Sequence, residues 1–341
     1  MGLFRVTDSG LYCEAGDFFV DPWKPVARAV ITHAHSDHAR PGSESYLTTE
    51  EGRHVLVARL GEGARIEPVP YGNTTSLSGV AVSLHPAGHV LGSAQVRAEY
   101  RGEVWVISGD YKTDGDPTCR PFEPVRCHTF VTESTFGLPV YRWPAPEAVF
   151  SEIDEWWRQN QDEGLTSIVY AYALGKAQRV LSGLNAARGP IGVHGAVATV
   201  NHRYRMAGVR LPEVEVVTAA PDRRDWSRTL IVAPPSAQAT PWLRRFGDIS
   251  SGFASGWMRL RGTRRRRAVD RGFVLSDHAD WPGLLSAIRG TGAERVLATH
   301  GIQAPLVRFL REKGIEAAAL QTPYEGEQDE APAEGAPEEQ R

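Results

Sequence analysis

Four side chains able to bind a cation fall within six residues, at His33, His35, Asp37 and His38 in the run Ile31-Thr32-His33-Ala34-His35-Ser36-Asp37-His38. The run follows an apolar strand from Arg28 to Ile31. At a strand end, His33 and His35 point one way while the turning chain brings Asp37 and His38 to the same space. Imidazole nitrogen and carboxylate oxygen are ordinary zinc ligands, and one such loop can serve two ions. The bland alternative is a solvated histidine-rich turn, which four ligands beside a buried strand disfavour. Two ions need more ligands than this loop holds, so the fold must bring others from far along the chain. His89, Asp110, His278 and His300 each follow a strand-like segment. Singly such residues are ordinary core or loop groups. Together they occupy strand carboxyl ends, where ligands converge in layered α/β proteins.

The chain around these residues changes character near Thr129. From Leu11 to Tyr111 short strands alternate with turns, and the pair AQVRAEY and GEVWVISG around Arg101-Gly102 predicts a hairpin. One helix is expected near Glu50 to Leu60. Beyond Thr129 strands and helices alternate, which predicts a parallel sheet flanked by helices. The expected helices are Pro146 to Asp162, a stretch from Gly175 to about Ala187, Val200 to Met206, Pro282 to Arg289 and Pro305 to Lys313. With 341 residues, 41% hydrophobic and 23% charged, this is the balance of a globular protein large enough for more than one core. The amino terminus has no basic start followed by an apolar run, and no stretch reaches ~18 uninterrupted apolar residues, so a cytoplasmic protein with no membrane partner is expected. Cys13, Cys119 and Cys127 show no C-x-x-C spacing and are expected to be inert thiols. The net charge of -3 includes a tail, Glu325 to Arg341, with seven acids and one base; without it 37 Lys+Arg stand against 34 Asp+Glu, or +3.

HAHSDH, followed in order by PAGHVLGSA and SGDY, resembles the metallo-β-lactamase superfamily and its nucleic-acid-processing β-CASP branch. Glu133-Ser134-Thr135-Phe136-Gly137 resembles that branch's first cap motif, and LSDHADW its third. The likeness runs from about Leu11 to Leu320, and HAHSDHARPGS, AGHVLGSAQV and FVLSDHADWPGLL are similar to the bacterial ligase-associated DNA exonucleases. The resemblance implies a mixed α/β (α+β) fold: a four-layer αββα metallo-β-lactamase sandwich from 1–140 and 271–322 and an inserted α/β β-CASP-like cap at 141–270; composition alone, rich in Glu, Pro, Ala and Gly without apolar periodicity, predicts a disordered acidic tail at 323–341. The resemblance also implies one zinc held by His33, His35 and His89 and a second by Asp37, His38 and His278, with Asp110 bridging and manganese as the alternative metal. Asp21 matches an aspartate that orients a metal-bound histidine, and Glu133 an acid beside the site. The family's cap histidine, its general acid, should fall near Ser255-Gly256-Trp257, where this chain has none. His300 or a metal-bound water is the substitute, which makes Asp37, Asp110 and His300 the expected catalytic residues.

Two metals sharing a hydroxide suit hydrolysis of phosphodiesters, and amides or thioesters equally, so the metals do not name the substrate. The insert does more. Arg203, Arg205, Arg223, Arg224, Arg244, Arg245, Arg259, Arg261 and the run Arg264, Arg265, Arg266 and Arg267 offer phosphate contacts, with Trp242, Trp257 and Tyr204 interleaved for stacking. Lys176 opens a helix after a strand, a place suited to a phosphate or to an ordinary first-turn lysine. His54, His85, His128, His194 and His202 are expected to be structural, and Trp156, Trp157 and Trp226 to be core. The expected function is DNA hydrolysis by a two-zinc, bridging-hydroxide exonuclease of repair. Family association implies an ATP-dependent DNA ligase and a large helicase as partners. RNA processing by a β-CASP nuclease is the second expectation. A nucleic-acid-binding module with a structural metal is the third, disfavoured by seven candidate ligands where a closed zinc needs four.

Overall fold

A computed structural model describes residues 2–218, 224–260, 262 and 268–322, so the acidic tail and the Arg264 to Arg267 run lie outside the described residues. Their strands form three sheets in a mixed α/β fold. The first holds β1 (Phe4–Thr7), β2 (Gly10–Cys13), β3 (Phe18–Val20), β4 (Arg28–Val30), β5 (Ser45–Thr49) and β6 (Ile66–Val69), in that spatial order. The second begins as an antiparallel meander of β7 (Thr74–Leu77), β8 (Val80–Pro86), β9 (Ala94–Tyr100) and β10 (Glu103–Ile107). The expected hairpin is there: Tyr100 faces Glu103, and Arg101 and Gly102 both take positive φ, as a two-residue turn requires. Beyond β10 the second sheet turns parallel through β11 (Thr129–Ser134).

At β11 the chain leaves this sheet. It builds the third, made of β12 (Thr166–Tyr170), β13 (Ile191–His194), β14 (Glu215–Val217), β15 (Leu230–Ala233), β16 (Ile249–Ala254) and β17 (Arg271–Phe273), in the order β14-β13-β15-β12-β16-β17. Every pairing in it is parallel, as the alternating pattern predicts. The chain then returns to the second sheet as β18 (Arg295–Gly301), beside β11, and ends that sheet with β19 (Glu316–Ala319).

Sheets one and two share a core in which Leu11, Phe18, Val20 and Leu47 meet Val82, Leu84, Val96, Trp105 and Val131. The outer face of sheet one carries Ile31 and Tyr46 against Val55 and Leu56 of α1 (Arg53–Leu60). The outer face of sheet two carries Val106, Phe130 and Val296 against α5 (Trp281–Thr291) and α6 (Gln303–Glu312). Strand β12 is buried on both faces, which is why TSIVY reads as a continuous run rather than an alternation. One face takes α2 (Pro146–Glu163), α3 (Lys176–Gly183) and α4 (Gly195–Met206), and Trp156 and Trp157 lie in that core as expected. The other packs on Trp226, Phe246 and Met258.

Four strands were not expected: β1, β6, β7 and β19. All are short: β1 alternates over only four residues, β6 carries Pro68, β7 has one apolar residue, and β19 ends in three alanines. Helix α4 starts five residues before the expected Val200, because the His194 ring accepts a hydrogen bond from Ala196 N and caps it. Helix α3 stops at Gly183, short of Ala187. Among the described residues no helix is long and apolar enough to cross a membrane.

Candidate metal centre

The histidine run leaves β4 through Ile31, whose N–H donates to Leu47 O, and Asp21 then folds it. The Asp21 carboxylate accepts from Thr32 N at 2.8 Å, from Thr32 Oγ1 at 2.5 Å and from His38 Nδ1 at 2.7 Å, tying the loop's two ends together. Asp21 does this from a left-handed backbone, φ 43°, uncommon outside glycine but tolerated by aspartate. Asp110 reaches the loop because Gly109 precedes it. At φ 56°, a Cβ on Gly109 would stand 2.6 Å from Thr32 Cβ, so only glycine lets the end of β10 come this close. His89 sits in the turn after β8, where Ser93 Oγ accepts from His89 N and Val90 N. Between the pairs Thr132/Ala298 and Ser134/Gly301, β18 carries one residue more than β11, and this bulge contains His300.

Partners on the outer nitrogens decide where the protons are. His35 Nε2 faces Leu174 O at 3.2 Å and His89 Nδ1 faces Asp277 O at 2.8 Å, and a carbonyl only accepts. Thr32 Oγ1 gives its proton to Asp21 and so accepts from His33 Nδ1 at 3.0 Å. When neutral, each ring therefore turns a bare lone pair inward. His33 Nε2 and His89 Nε2 both lie 3.1 Å from His35 Nδ1, and Asp110 Oδ2 lies 3.5 Å from His33 Nε2 and 3.8 Å from His89 Nε2. Three lone pairs and a carboxylate facing one another repel unless a cation stands among them. The donor set fits a metal ion.

A second group shares Asp110. His38, its Nδ1–H committed to Asp21, turns Nε2 to within 3.6 Å of Asp110 Oδ2 and 3.5 Å of Asp37 Oδ2. His300 Nε2 lies 2.6 Å from Asp110 Oδ1, and His38, Asp110 and His300 form a group able to hold an ion. Asp37 reaches the site through its contact with His38. The structure gathers His33, His35, Asp37, His38, His89 and Asp110, and brings both His278 and His300 close to Asp110. His300 stands in one such group with His38 and Asp110, and His278, which the resemblance implied, stands in another with Asp110 and Glu133. His278 stands next to His89, ring centroids 4.6 Å apart, with Nδ1 hydrogen-bonded to both Glu133 oxygens at 2.9 and 3.1 Å. Both follow strands, and sequence spacing cannot tell which ring faces which group.

Burial pushes His33 well below the usual histidine value, helped by the charge of His38, and pushes His89 down to about 3. Burial would also lower His38, yet Asp37, Asp110 and Asp21 outweigh it and lift the ring to about 10. The acids around His38 demand positive charge there, as a cation would supply. Burial would raise Asp110, but His38, His300 and His278 hold it well below the ordinary carboxylate range.

Lys176 is corrected. It is fully buried, its Nζ 3.1 Å from Asp277 Oδ1 and over the Tyr172 ring, so it does not face a substrate. Tyr204 is buried too, its hydroxyl accepting from Leu91 N, which rules out stacking on a base. Trp242 and Trp257 pack on Phe246 and Phe136. Arg224 pairs with Glu215 over the Trp226 ring, and Arg245 bonds the carbonyls of Trp242 and Thr218, so part of the basic insert has structural partners. His85, His128 and His194 bond Ser83, Val104 N and Ala196 N, the structural roles expected. Sequence reasoning missed Thr32 and Asp277. Both lie inside motifs already visible, one position before His33 and one before His278. Beside His35 a cavity of ≈ 230 Å³ opens between α1 and α4, with Ser36, Arg59, Leu174, Val200 and Arg203 in its walls.

No protein-family model matches the chain. It is 30% identical over 315 residues to a probable DNA ligase of Opitutus terrae, covering 91% of this chain and 30% of that protein. Endoribonucleases YSH1 of Gibberella zeae and Saccharomyces cerevisiae are each 28% identical, over 48% and 39% of this chain and 19% and 22% of theirs. The chain thus spans less than a third of each of these relatives, whose names are consistent with the metallo-β-lactamase and β-CASP resemblance. A solved structure from Enterococcus faecalis V583, a protein of unknown function, shares the fold at a TM-score of 0.57 with 11% identity, over 86% of this chain and 79% of that one.

Proposed function

We propose that this chain is a metal-dependent nuclease of the metallo-β-lactamase superfamily, β-CASP branch, that degrades DNA from an end during repair. The carrying observation is the pair of donor groups meeting at Asp110, in which His33, His35, His38 and His89 each have one ring nitrogen held by a partner outside the centre. The departure of the chain after β11 and its return at β18 alongside supports a four-layer sandwich from 1–140 and 271–322 with a cap at 141–270. The ligase relative supports DNA and a ligation partner, and a helicase partner rests on the resemblance alone. The endoribonuclease relatives favour a second reading, RNA processing.

His33, His35, His89 and Asp110 would hold one ion, and Asp37, His38, His300 and Asp110 the other, both zinc or manganese. Such a pair supplies Lewis acidity to a phosphodiester and makes water a competent nucleophile near neutral pH. The chain does the rest. Asp21 and Thr32 keep the His38 and His33 protons on their outer nitrogens, so that Nε2 is the atom each ring turns to the ion. Glu133, which also accepts from Tyr111 N, fixes a proton on His278 Nδ1. His278, needed by neither ion, hands a proton from its other nitrogen to the leaving oxygen, the role vacant at Ser255-Gly256-Trp257. Arg59 and Arg203 in the cavity beside His35 can hold the strand's phosphates.

The test is the purified protein with zinc or manganese on end-labelled single- and double-stranded DNA and RNA of one sequence. Stepwise shortening of DNA with RNA intact is expected. Cleavage of RNA alone moves the reading to the second, and no cleavage with either metal overturns both.

A further inference from the structure

Two of the three imidazoles in the first donor group are oriented from the side of sheet three. Leu174, just before α3, supplies the carbonyl for His35 Nε2, and Asp277, beyond β17, supplies the one for His89 Nδ1. The carboxylate of Asp277 is itself buried against α3, where Lys176 Nζ lies 3.1 Å from Oδ1. Burial alone would raise that carboxyl, but the Lys176 ammonium and the nearby histidines hold it well below its ordinary range. Gly175, at φ 88°, brings the start of α3 down on the same turn: a Cβ there would run into the Val90 side chain and stand 3.5 Å from Asp277 Oδ2. One turn further along α3, Arg179 bonds Ser276 O and lies 3.6 Å from Asp116 Oδ2.

We propose that Lys176 is a positioning residue for the metal centre: by fixing the Asp277 carboxylate it holds that residue's carbonyl against His89, and so couples metal affinity to the seating of α3. The inference rests on the metal reading above. The physical ground is that a buried ion pair adds little net stability, since desolvation offsets its attraction, whereas losing one partner is costly. Such a pair specifies a position. Here the position is the backbone of Asp277, and the group depending on it is a ligand imidazole, whose outer partner sets tautomer and aim.

Zinc affinity, measured by chelator competition, and the melting temperature of the metal-free protein are compared for wild type, K176M and K176M/D277N. The single variant strands a buried carboxylate and should lose both stability and affinity, the latter by about 10- to 100-fold. The double variant has no stranded charge and keeps the carbonyl of residue 277. Its metal-free melting should recover towards wild type while its zinc affinity stays low, a split that a merely structural lysine cannot produce. Wild-type affinity in either variant, or affinity that recovers together with melting, overturns the proposal. If wild type itself binds no divalent ion, the metal reading fails and takes this inference with it.

Discussion

Asp110→Asn tests the centre where its two halves meet. Asparagine keeps the shape, and its Oδ1 can still accept from His300 Nε2, so the metal-free fold should survive with unchanged circular dichroism. What goes is a unit negative charge whose oxygen lies 3.5 Å from His33 Nε2, 3.6 Å from His38 Nε2 and 3.8 Å from His89 Nε2. Opposite unit charges at about 4 Å interact by about 4 kcal/mol at an effective dielectric of about 20. With about 1.4 kcal/mol to each factor of ten, a cation in this cage should bind about a thousandfold more weakly. Because both donor groups contain Asp110, both ions should be affected. Elemental analysis and chelator competition measure metal, and the same preparations are assayed on end-labelled DNA. Normal metal content with full cleavage would refute the argument.

His300→Ala should lower the metal content, whereas His278→Gln should retain it and lose about 10²- to 10⁴-fold in turnover; the reverse pattern would restore His278 as the ligand. Gly109→Ala places a Cβ 2.6 Å from Thr32 Cβ at φ 56°, and the strain of about 1–3 kcal/mol should lower the melting temperature; an unchanged melting curve would show that the loop yields. Replacing Arg59 and Arg203 by alanine should flatten the slope of log affinity against log salt by up to about 0.9 per lost contact on duplex DNA, while a small nitrophenyl phosphodiester is cleaved as before. An unchanged slope would move the strand elsewhere.

Much of this centre was legible because its chemistry is local in sequence: four candidate ligands share one loop, and His89 and Asp110 follow strands that alternate clearly. Which of His278 and His300 stands beside His38 was not. Each follows a strand, and what separates them is a one-residue bulge in β18 and the reach of Glu133 across from β11, both of them tertiary facts. Lys176 misled for a similar reason. The start of a helix after a strand suits a phosphate, and only the packed structure puts the Asp277 carboxylate there first. Among the folded elements, the parallel third sheet was legible from its alternation, while β6, with its proline, and β19, with its alanines, are strands only because a sheet edge receives them.

The return of β18 to the side of β11 also sets a timetable. During synthesis the histidine loop, His89, Asp110 and Glu133 are all made before any of sheet three, but the partner of β11 comes after the whole of it. At about 5–20 residues per second, the ribosome needs on the order of ten seconds to get from one strand to the other. Through that interval β11 presents an unpaired edge, a hazard for aggregation that a chaperone or the emerging chain must cover. His278 and His300 are still missing, so the young chain has neither a complete second donor group nor the proposed proton donor. With the proposed activity, a chain built in this order stays harmless to the messenger it is being translated from.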